Sequence, residues 1–130
     1  MIDKLAWIEI KENQILLTKS FGKDKYYIPG GKRELRETDE QALSREICEE
    51  LSVTIDKNTL KFVGIFEAQA HGQTEGIFVK MTCYSADYSG ELNVSSEIEA
   101  MEWFRYADKD KVVGVDKLIF EHLKQKKLLD

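Results

Sequence analysis

The chain has 130 residues, of which 42% are hydrophobic and 33% are charged, as in a globular protein with one core. Its net charge of −5 argues against a large nucleic-acid footprint, because such surfaces need clustered Lys and Arg. No apolar run reaches the length of a membrane span, and residues 1–7 lack the pattern of a leader peptide. We therefore expect one domain over residues 1–130 and a cytoplasmic location, with no membrane partner and with nucleic acid disfavoured as a partner.

The first part of the chain contains two strand-like segments and a turn. Residues 5–10 and 14–20 are largely apolar and flank a short polar connection, which predicts a β-hairpin or two neighbouring strands. Pro29, the only proline, is followed directly by Gly30 and Gly31. This combination indicates either an ordinary loop or a turn in which the backbone takes positive φ or approaches another group closely.

The strongest helix signal covers residues 39–51. Thr38 and Gln41 have the spacing of a capping box, and neither Gly nor Pro interrupts the segment. Apolar residues recur at helical spacing and predict a buried stripe made of Leu43, Ile47 and Leu51.

Three glutamates, Glu46, Glu49 and Glu50, fall on one side of this helix, next to the apolar stripe. Like charges at these spacings repel by roughly 0.2–0.5 kcal/mol per pair, so the arrangement costs stability unless a cation lies nearby. Taken alone, such a group is more often a solvated acidic face. Opposite a Gly-Gly loop that can offer a carbonyl, however, it supplies the oxygen ligands that Mg²⁺ prefers.

The two cysteines carry no metal or disulfide signal. Cys48 and Cys83 lie far apart, with no CxxC motif and no His at metal-ligand spacing. A disulfide framework or a zinc site is therefore not expected. We expect both to be small buried hydrophobic side chains.

The second half of the chain alternates strand and helix signals. Residues 60–70 and 77–88 are rich in β-branched and aromatic side chains and flank a polar loop, which predicts a second hairpin. A strand at residues 101–106 precedes an amphipathic helix near residues 109–127, whose core side would contain Val112, Val115, Leu118, Ile119, His122 and Leu123. This order predicts an α/β or α+β domain with helices packed on a mixed sheet.

Residues 31–53 match one spaced pattern, G-x(5)-E-x(7)-R-E-U-x-E-E-x-G-U, where U is aliphatic. The matching residues are Gly31, Glu37, Arg45, Glu46, Ile47, Glu49, Glu50 and Val53. Ser52 is the one departure, because it stands where the pattern has its second glycine. This pattern is the Nudix box, and the chain resembles the Nudix hydrolase (MutT-like) family. The resemblance implies an α/β/α sandwich, a mixed sheet with helices on both faces.

The resemblance also implies a reaction. It is the Mg²⁺-dependent hydrolysis, with Mn²⁺ as an alternative ion, of a nucleoside diphosphate linked to another moiety, by attack of water on phosphorus. The implied metal ligands are the carboxylates of Glu46, Glu49 and Glu50 and the carbonyl of Gly30. Gly31, Glu37 and Arg45 would have structural roles, with Arg45 pairing to carboxylates so that the ligands are oriented.

A further acid is expected on a later loop, because relatives often carry one ahead of a strand with Trp. Glu97, shortly before Trp103, fits this description, and Glu99 is the neighbouring alternative. We predict Glu97 as a metal ligand and a catalytic residue. The general base is left open among Glu49, Glu50 and Glu97.

Substrate contacts are less specified. Lys32 could meet a phosphate oxygen, or could simply be exposed. Phe21, Tyr27 and Phe66 could stack on a base, although aromatic side chains on strands belong more often to the core. His71 receives no catalytic role, because a lone loop histidine is usually solvated. Elimination of other subfamily markers leaves a small MutT-like enzyme that acts on a nucleoside triphosphate or a modified nucleotide.

Two alternatives stay open. A Nudix module could sense a nucleotide without hydrolysing it, since a fold alone does not establish function. The same cleavage could act at an RNA 5′ end, against which the acidic net charge argues. The resemblance also allows a homodimer.

Ser52 raises a conformational question. Glycine at this position of the box suits a left-handed residue at the end of the helix, and serine held there would cost roughly 1 kcal/mol. Because Ser52 supplies no metal ligand, we expect a departure that leaves the chemistry intact.

Overall fold

The computed structural model describes residues 1–130. Two helices are present, α1 (Asp39–Leu51) and α2 (Val115–Gln125), together with two short 3-10 turns at Lys57–Thr59 and Tyr106–Lys111. Nine strands complete the fold: β1 (Ile2–Trp7), β2 (Ile10–Lys11), β3 (Gln14–Ser20), β4 (Gly30–Lys32), β5 (Thr54–Ile55), β6 (Lys61–Gln69), β7 (Phe78–Ser85), β8 (Tyr88–Ser89) and β9 (Ile98–Phe104). Neither helix combines the length and the apolar character that a membrane crossing needs.

A four-stranded mixed sheet in the order β4-β1-β7-β6 forms the centre of the molecule. Strands β1 and β7 are parallel, with Leu5 opposite Thr82, whereas β4 and β6 are antiparallel to their neighbours. A second sheet, β2-β3-β9, and a two-stranded pair, β5-β8, flank it. Because β4 pairs with β1, the Gly30-Gly31 turn is held directly beside the central strand.

The alternating side chains of β1 enter two separate cores. Leu5 and Trp7 are fully buried in a cluster that contains the α1 stripe of Leu43, Ile47 and Leu51. Ala6 belongs to the other cluster, together with the α2 side chains Ile119, Phe120 and Leu123. Successive side chains of a strand point to opposite faces, so the two helices cover opposite sides of the sheet. The predicted sandwich with a mixed sheet is confirmed.

Helix α1 agrees with its sequence signals. The Thr38 hydroxyl accepts a hydrogen bond from the Gln41 N–H, and the Gln41 side chain accepts one from the Thr38 N–H, which completes the predicted capping box. The helix ends at Ser52, whose φ of 64° and ψ of 24° are left-handed. The predicted conformation of Ser52 is therefore confirmed.

Several predicted boundaries were wrong. Residues 5–10 do not form one hairpin strand, because the chain leaves the mixed sheet after Trp7 and only Ile10–Lys11 pairs with β3. The second predicted hairpin is confirmed as β6 and β7, but the following strand begins earlier, at Ile98. The last helix begins at Val115, since residues 106–111 form a 3-10 turn.

Two predicted buried side chains are exposed. Cys48 is exposed, unlike Cys83, because it follows Ile47 by one residue and so points about 100° away from the apolar stripe. Leu118 is 46% exposed, since the buried stripe of α2 follows Val115, Ile119 and Leu123 and leaves Leu118 on its flank.

Candidate functional site

In the Gly30-Gly31 turn, a side chain on either glycine would collide with a neighbouring group. A Cβ on Gly30 would lie 2.0 Å from the Leu5 carbonyl oxygen, and Gly30 has a φ of +147°. A Cβ on Gly31 would lie 2.4 Å from the carboxyl carbon of Glu46. Both readings of the turn, close approach and positive φ, are therefore present. The space that a side chain would fill at Gly31 is occupied by the carboxylate of Glu46.

Helix α1 directs Glu46 and Glu50, but not Glu49, into one cavity. Glu46 is half-buried, and Glu50 is only 5% exposed, although it is a carboxylate. One oxygen of Glu50 accepts a hydrogen bond from the Gly30 N–H at 3.2 Å. Both glutamates line the cavity beside Gly30 and Gly31.

The electrostatics of these acids favour a positive charge. Burial raises the pKa of Glu50 to about 8, and the negative charges of Glu46, Glu97 and Glu49 act in the same direction, against the hydrogen bond from Gly30. Burial also raises the pKa of Glu46, despite its hydrogen bond with Arg45. No positively charged side chain pairs with Glu50, so its ionised form lacks a counter-ion.

Arg45 connects helix α1 to strand β4 and to the loop that contains Glu37. Its Nε and Nη2 donate to the two carboxylate oxygens of Glu37 at 2.7 and 2.8 Å, while Nη1 donates to Glu46 at 2.8 Å. Nη2 also donates to the Lys32 carbonyl at 3.1 Å. The guanidinium lowers the pKa of Glu37 to about 2. These contacts fix the carboxylate of Glu46 next to Gly31, as the orienting role expected for Arg45 requires.

Glu49 occupies a different environment. Its carboxylate is 51% exposed and lies 3.6 Å from Nη1 of Arg45, and it does not line the cavity. In this side-chain arrangement no three Asp, Glu, His or Cys groups converge closely enough to form a ready-made metal cluster. The structure thus brings Glu46, Glu50 and Gly30 to the cavity and leaves Glu49 outside its lining.

The two candidate loop acids are separated by the structure. Glu97 lines the same cavity as Glu46 and Glu50, and its charge contributes to the raised pKa of both. Glu99 instead forms an ion pair with Lys19. Of the two alternatives, only Glu97 is placed where a cation bound by the α1 acids could be reached.

The cavity has a volume of about 530 Å³ and reaches a fourth carboxyl group, that of Asp116, which sequence reasoning missed. Asp116 is 1% exposed, and burial raises its pKa to about 7. Its Oδ2 accepts a hydrogen bond from the Ile28 N–H at 3.1 Å, whereas Oδ1 has no partner. A signal was present, because Asp116 lies three and four residues before Ile119 and Phe120 and so falls on the buried stripe of α2.

Some of the predicted substrate contacts line the cavity and others do not. Lys32 and Tyr27 line the cavity. Phe66 does not, because its ring packs edge-on against His122 at 5.2 Å, next to the core. Phe21 is 64% exposed. The placement of Phe66 therefore does not support base stacking. Two lysines that were not predicted, Lys4 and Lys23, also line the cavity, together with Lys32, His71 and Gln73.

Comparison with known proteins agrees with this architecture. The solution structure of the E. coli ORF135 protein has a TM-score of 0.77 at 24% identity, covering 98% of this chain and 91% of that one. The crystal structure of a MutT NUDIX hydrolase from Burkholderia pseudomallei has a TM-score of 0.76 at 23% identity, covering 94% and 97%. At these identities the likeness shows the fold.

Sequence comparison gives the family. A relative from Danio rerio, an oxidized purine nucleoside triphosphate hydrolase, is 38% identical over 95 residues, which are 72% of this chain and 56% of that protein. The match thus spans little more than half the length of that relative. The model of the NUDIX domain matches residues 5–123 of this chain. The chain therefore belongs to the NUDIX domain family.

Proposed function

We propose that the chain, acting as a single domain, is a metal-dependent nucleotide pyrophosphohydrolase that hydrolyses a phosphoanhydride bond of a nucleoside triphosphate. One observation carries the proposal: a single cavity joins the acids Glu46, Glu50 and Glu97 to the buried carboxyl of Asp116. An elongated substrate with a phosphate chain at one end and a hydrogen-bonding ring at the other fits such a cavity.

The donor set at the acidic end fits a hard divalent cation. Glu46, Glu50 and Glu97 and the carbonyl of Gly30, together with the exposed Glu49, offer only oxygen ligands, as Mg²⁺ and Mn²⁺ prefer. The cation would compensate the unpaired buried charge of Glu50. When bound, such an ion polarises phosphate oxygens and lowers the pKa of a bound water.

The protein's own groups would then act as follows. Arg45 keeps the carboxylate of Glu46 against Gly31. Lys32 and Lys23, which line the cavity, would offer positive charge to the phosphate chain. Water forms a bond to phosphorus, the anhydride oxygen leaves, and a glutamate takes the proton of the water. Glu49 and Glu97 are exposed and can pass that proton to solvent, which favours them over the buried Glu50 as the base.

The other end of the cavity would bind the nucleobase. Asp116 offers one unpartnered oxygen to an N–H group on a base edge, and Tyr27 and Ile28 form the adjoining wall. A buried polar group without a partner favours the ligand that completes it. The relative that hydrolyses oxidized purine nucleoside triphosphates supports a purine triphosphate, oxidised or unmodified, as the substrate of this chain.

The test is a comparison of kcat/KM over a panel of ordinary and oxidised nucleoside triphosphates, with Mg²⁺ and with Mn²⁺. We expect hydrolysis of at least one purine triphosphate, abolished by chelation and by Glu50→Gln. Glu67→Gln, which changes an exposed glutamate on β6, is the matched control. Turnover that survives Glu50→Gln would overturn the proposed metal site. Binding of nucleotides without any turnover would establish the sensing module instead.

A further inference from the structure

The segment after β8 is hydrogen-bonded to the C-terminal end of α1. The Asn93 N–H donates to the Leu51 carbonyl at 2.9 Å, and the Ser95 N–H donates to the Glu50 carbonyl at 3.0 Å. The Ser95 hydroxyl donates to the Glu49 carbonyl. The last carbonyls of a helix have no partner within the helix, so this segment, residues 93–95, completes the end of α1.

Ser52 adds a side-chain contact that glycine could not make. Its hydroxyl lies 3.1 Å from the Asn93 carbonyl and 3.3 Å from the Ser95 hydroxyl oxygen, and it donates its one proton to either acceptor. Ser95 can accept this bond while it donates to Glu49. The left-handed backbone of Ser52 costs roughly 1 kcal/mol relative to glycine. The hydroxyl contact, which glycine cannot make, acts in the opposite direction to this cost.

Glu97 follows this contact by two residues and is held on both sides. The Ile98 N–H donates to the Ser95 carbonyl at 3.1 Å, which closes a tight turn, and the Glu97 carbonyl accepts from the Phe21 N–H at 2.9 Å. The Ser96 hydroxyl lies 2.6 Å from the Glu97 carboxylate. The backbone of Glu97 is therefore fixed between the end of α1 and β3.

In contrast to the expectation from the sequence that Ser52 leaves the chemistry intact, we propose that Ser52 and Ser95 are positioning residues that hold Glu97 at the cavity lined by Glu46 and Glu50, so that serine in place of the box glycine contributes to metal binding. The inference rests on the proposed function, in which Glu97 is a metal ligand. Neither serine touches the cation or the substrate. Both act through the position of the segment 93–97.

The experiment measures Mn²⁺ affinity calorimetrically, without nucleotide and without turnover. Ser52→Gly keeps the left-handed backbone and removes the hydroxyl, and Ser95→Ala removes its partner. We expect each variant to raise the dissociation constant for Mn²⁺ about tenfold, as is typical when a residue that orients a metal ligand is lost. The double variant should bind Mn²⁺ no more weakly than the single variant with the lower affinity, because the two hydroxyls act as one unit. Ser95→Thr, which keeps the hydroxyl, should bind Mn²⁺ with the affinity of the wild type.

Two further variants separate the outcomes. Ser89→Ala, at an exposed position of β8, should leave Mn²⁺ affinity unchanged. Glu97→Gln should weaken it at least as much as Ser52→Gly. If Glu97→Gln weakens binding while Ser52→Gly and Ser95→Ala change only the thermal midpoint, the positioning role is overturned and the proposed function stands. If Glu97→Gln has no effect, the ligand role of Glu97 fails, and the positioning role fails with it.

Discussion

Gly31 lies directly against the carboxylate of Glu46, so close that an added methyl group would meet its carboxyl carbon at 2.4 Å. The obstructing atoms are at the end of a flexible side chain, and Gly31→Ala should therefore displace Glu46 at little cost in stability. We expect Mn²⁺ affinity and turnover to fall by about tenfold or more, with a small change in thermal midpoint. Gly64→Ala, whose methyl group would approach Phe66 at 3.0 Å, is the control and should leave Mn²⁺ affinity intact. Unchanged affinity in Gly31→Ala would contradict the placement of Glu46.

Arg45→Lys keeps the charge but removes the fork that binds Glu37 and Glu46 together. A lysine ammonium cannot reproduce two parallel bonds to Glu37 and a third to Glu46. We expect the free energy of unfolding to fall by about 1–3 kcal/mol, measured by urea denaturation. Arg36→Lys, at an exposed position, should change it by less than about 0.5 kcal/mol. Equal stability of the two variants would show that the fork contributes nothing.

Glu50→Gln should raise the stability of the metal-free protein at neutral pH. The buried carboxylate has no counter-ion, and burial raises its pKa to about 8, so its ionisation opposes folding. The same variant should lose most of the rise in thermal midpoint that millimolar Mg²⁺ or Mn²⁺ produces in the wild type, because a ligand of the folded state stabilises only if it binds. A wild-type midpoint that does not respond to either ion would argue against the metal site.

Asp116→Asn should change how stability depends on pH. Burial raises the pKa of Asp116 from 3.8 to about 7, with Lys4 acting in the opposite direction. The folded state therefore holds the proton more tightly than the unfolded state, and wild-type stability falls as the pH rises from about 4 to about 7. Asparagine does not titrate, so its advantage over wild type should grow through this window, by up to about 1.4 kcal/mol per pH unit. Parallel stability curves for the two proteins would contradict the buried carboxyl.

Helix α1 and its acids were predictable because several local signals coincide there. The Thr38 capping box, the stripe that includes Ile47, and the box spacing all specify the same helix, and each reports on interactions within a few residues. The left-handed conformation of Ser52 followed from the same local reasoning. Its hydroxyl contacts did not, because Asn93 and Ser95 lie about forty residues later in the chain.

Asp116 and the path of β1 depend on partners that are distant in sequence. Asp116 accepts a hydrogen bond from the Ile28 N–H, far earlier in the chain, so its place on the apolar stripe of α2 indicates burial but not which cavity it reaches. The continuous apolar run 5–10 concealed a change of partner within it, since the Ile8 N–H still donates to the Tyr84 carbonyl of β7, whereas Ile10–Lys11 pairs with β3. Pairing with β4 and β7 therefore had to be seen in three dimensions.

Because the two helices lie on opposite sides of β1, the proposed metal site and the proposed base contact belong to different helices. Glu46 and Glu50 lie on α1, whose apolar stripe packs in one core, whereas Asp116 lies on α2, whose stripe packs in the other. If the proposed function is correct, changes in the first turn of α2 should alter which base is accepted without moving Glu46 or Glu50. A directed-evolution experiment for new nucleotide preferences should accumulate its changes around Val115 and Asp116, and α1 should stay constant while the substrate changes.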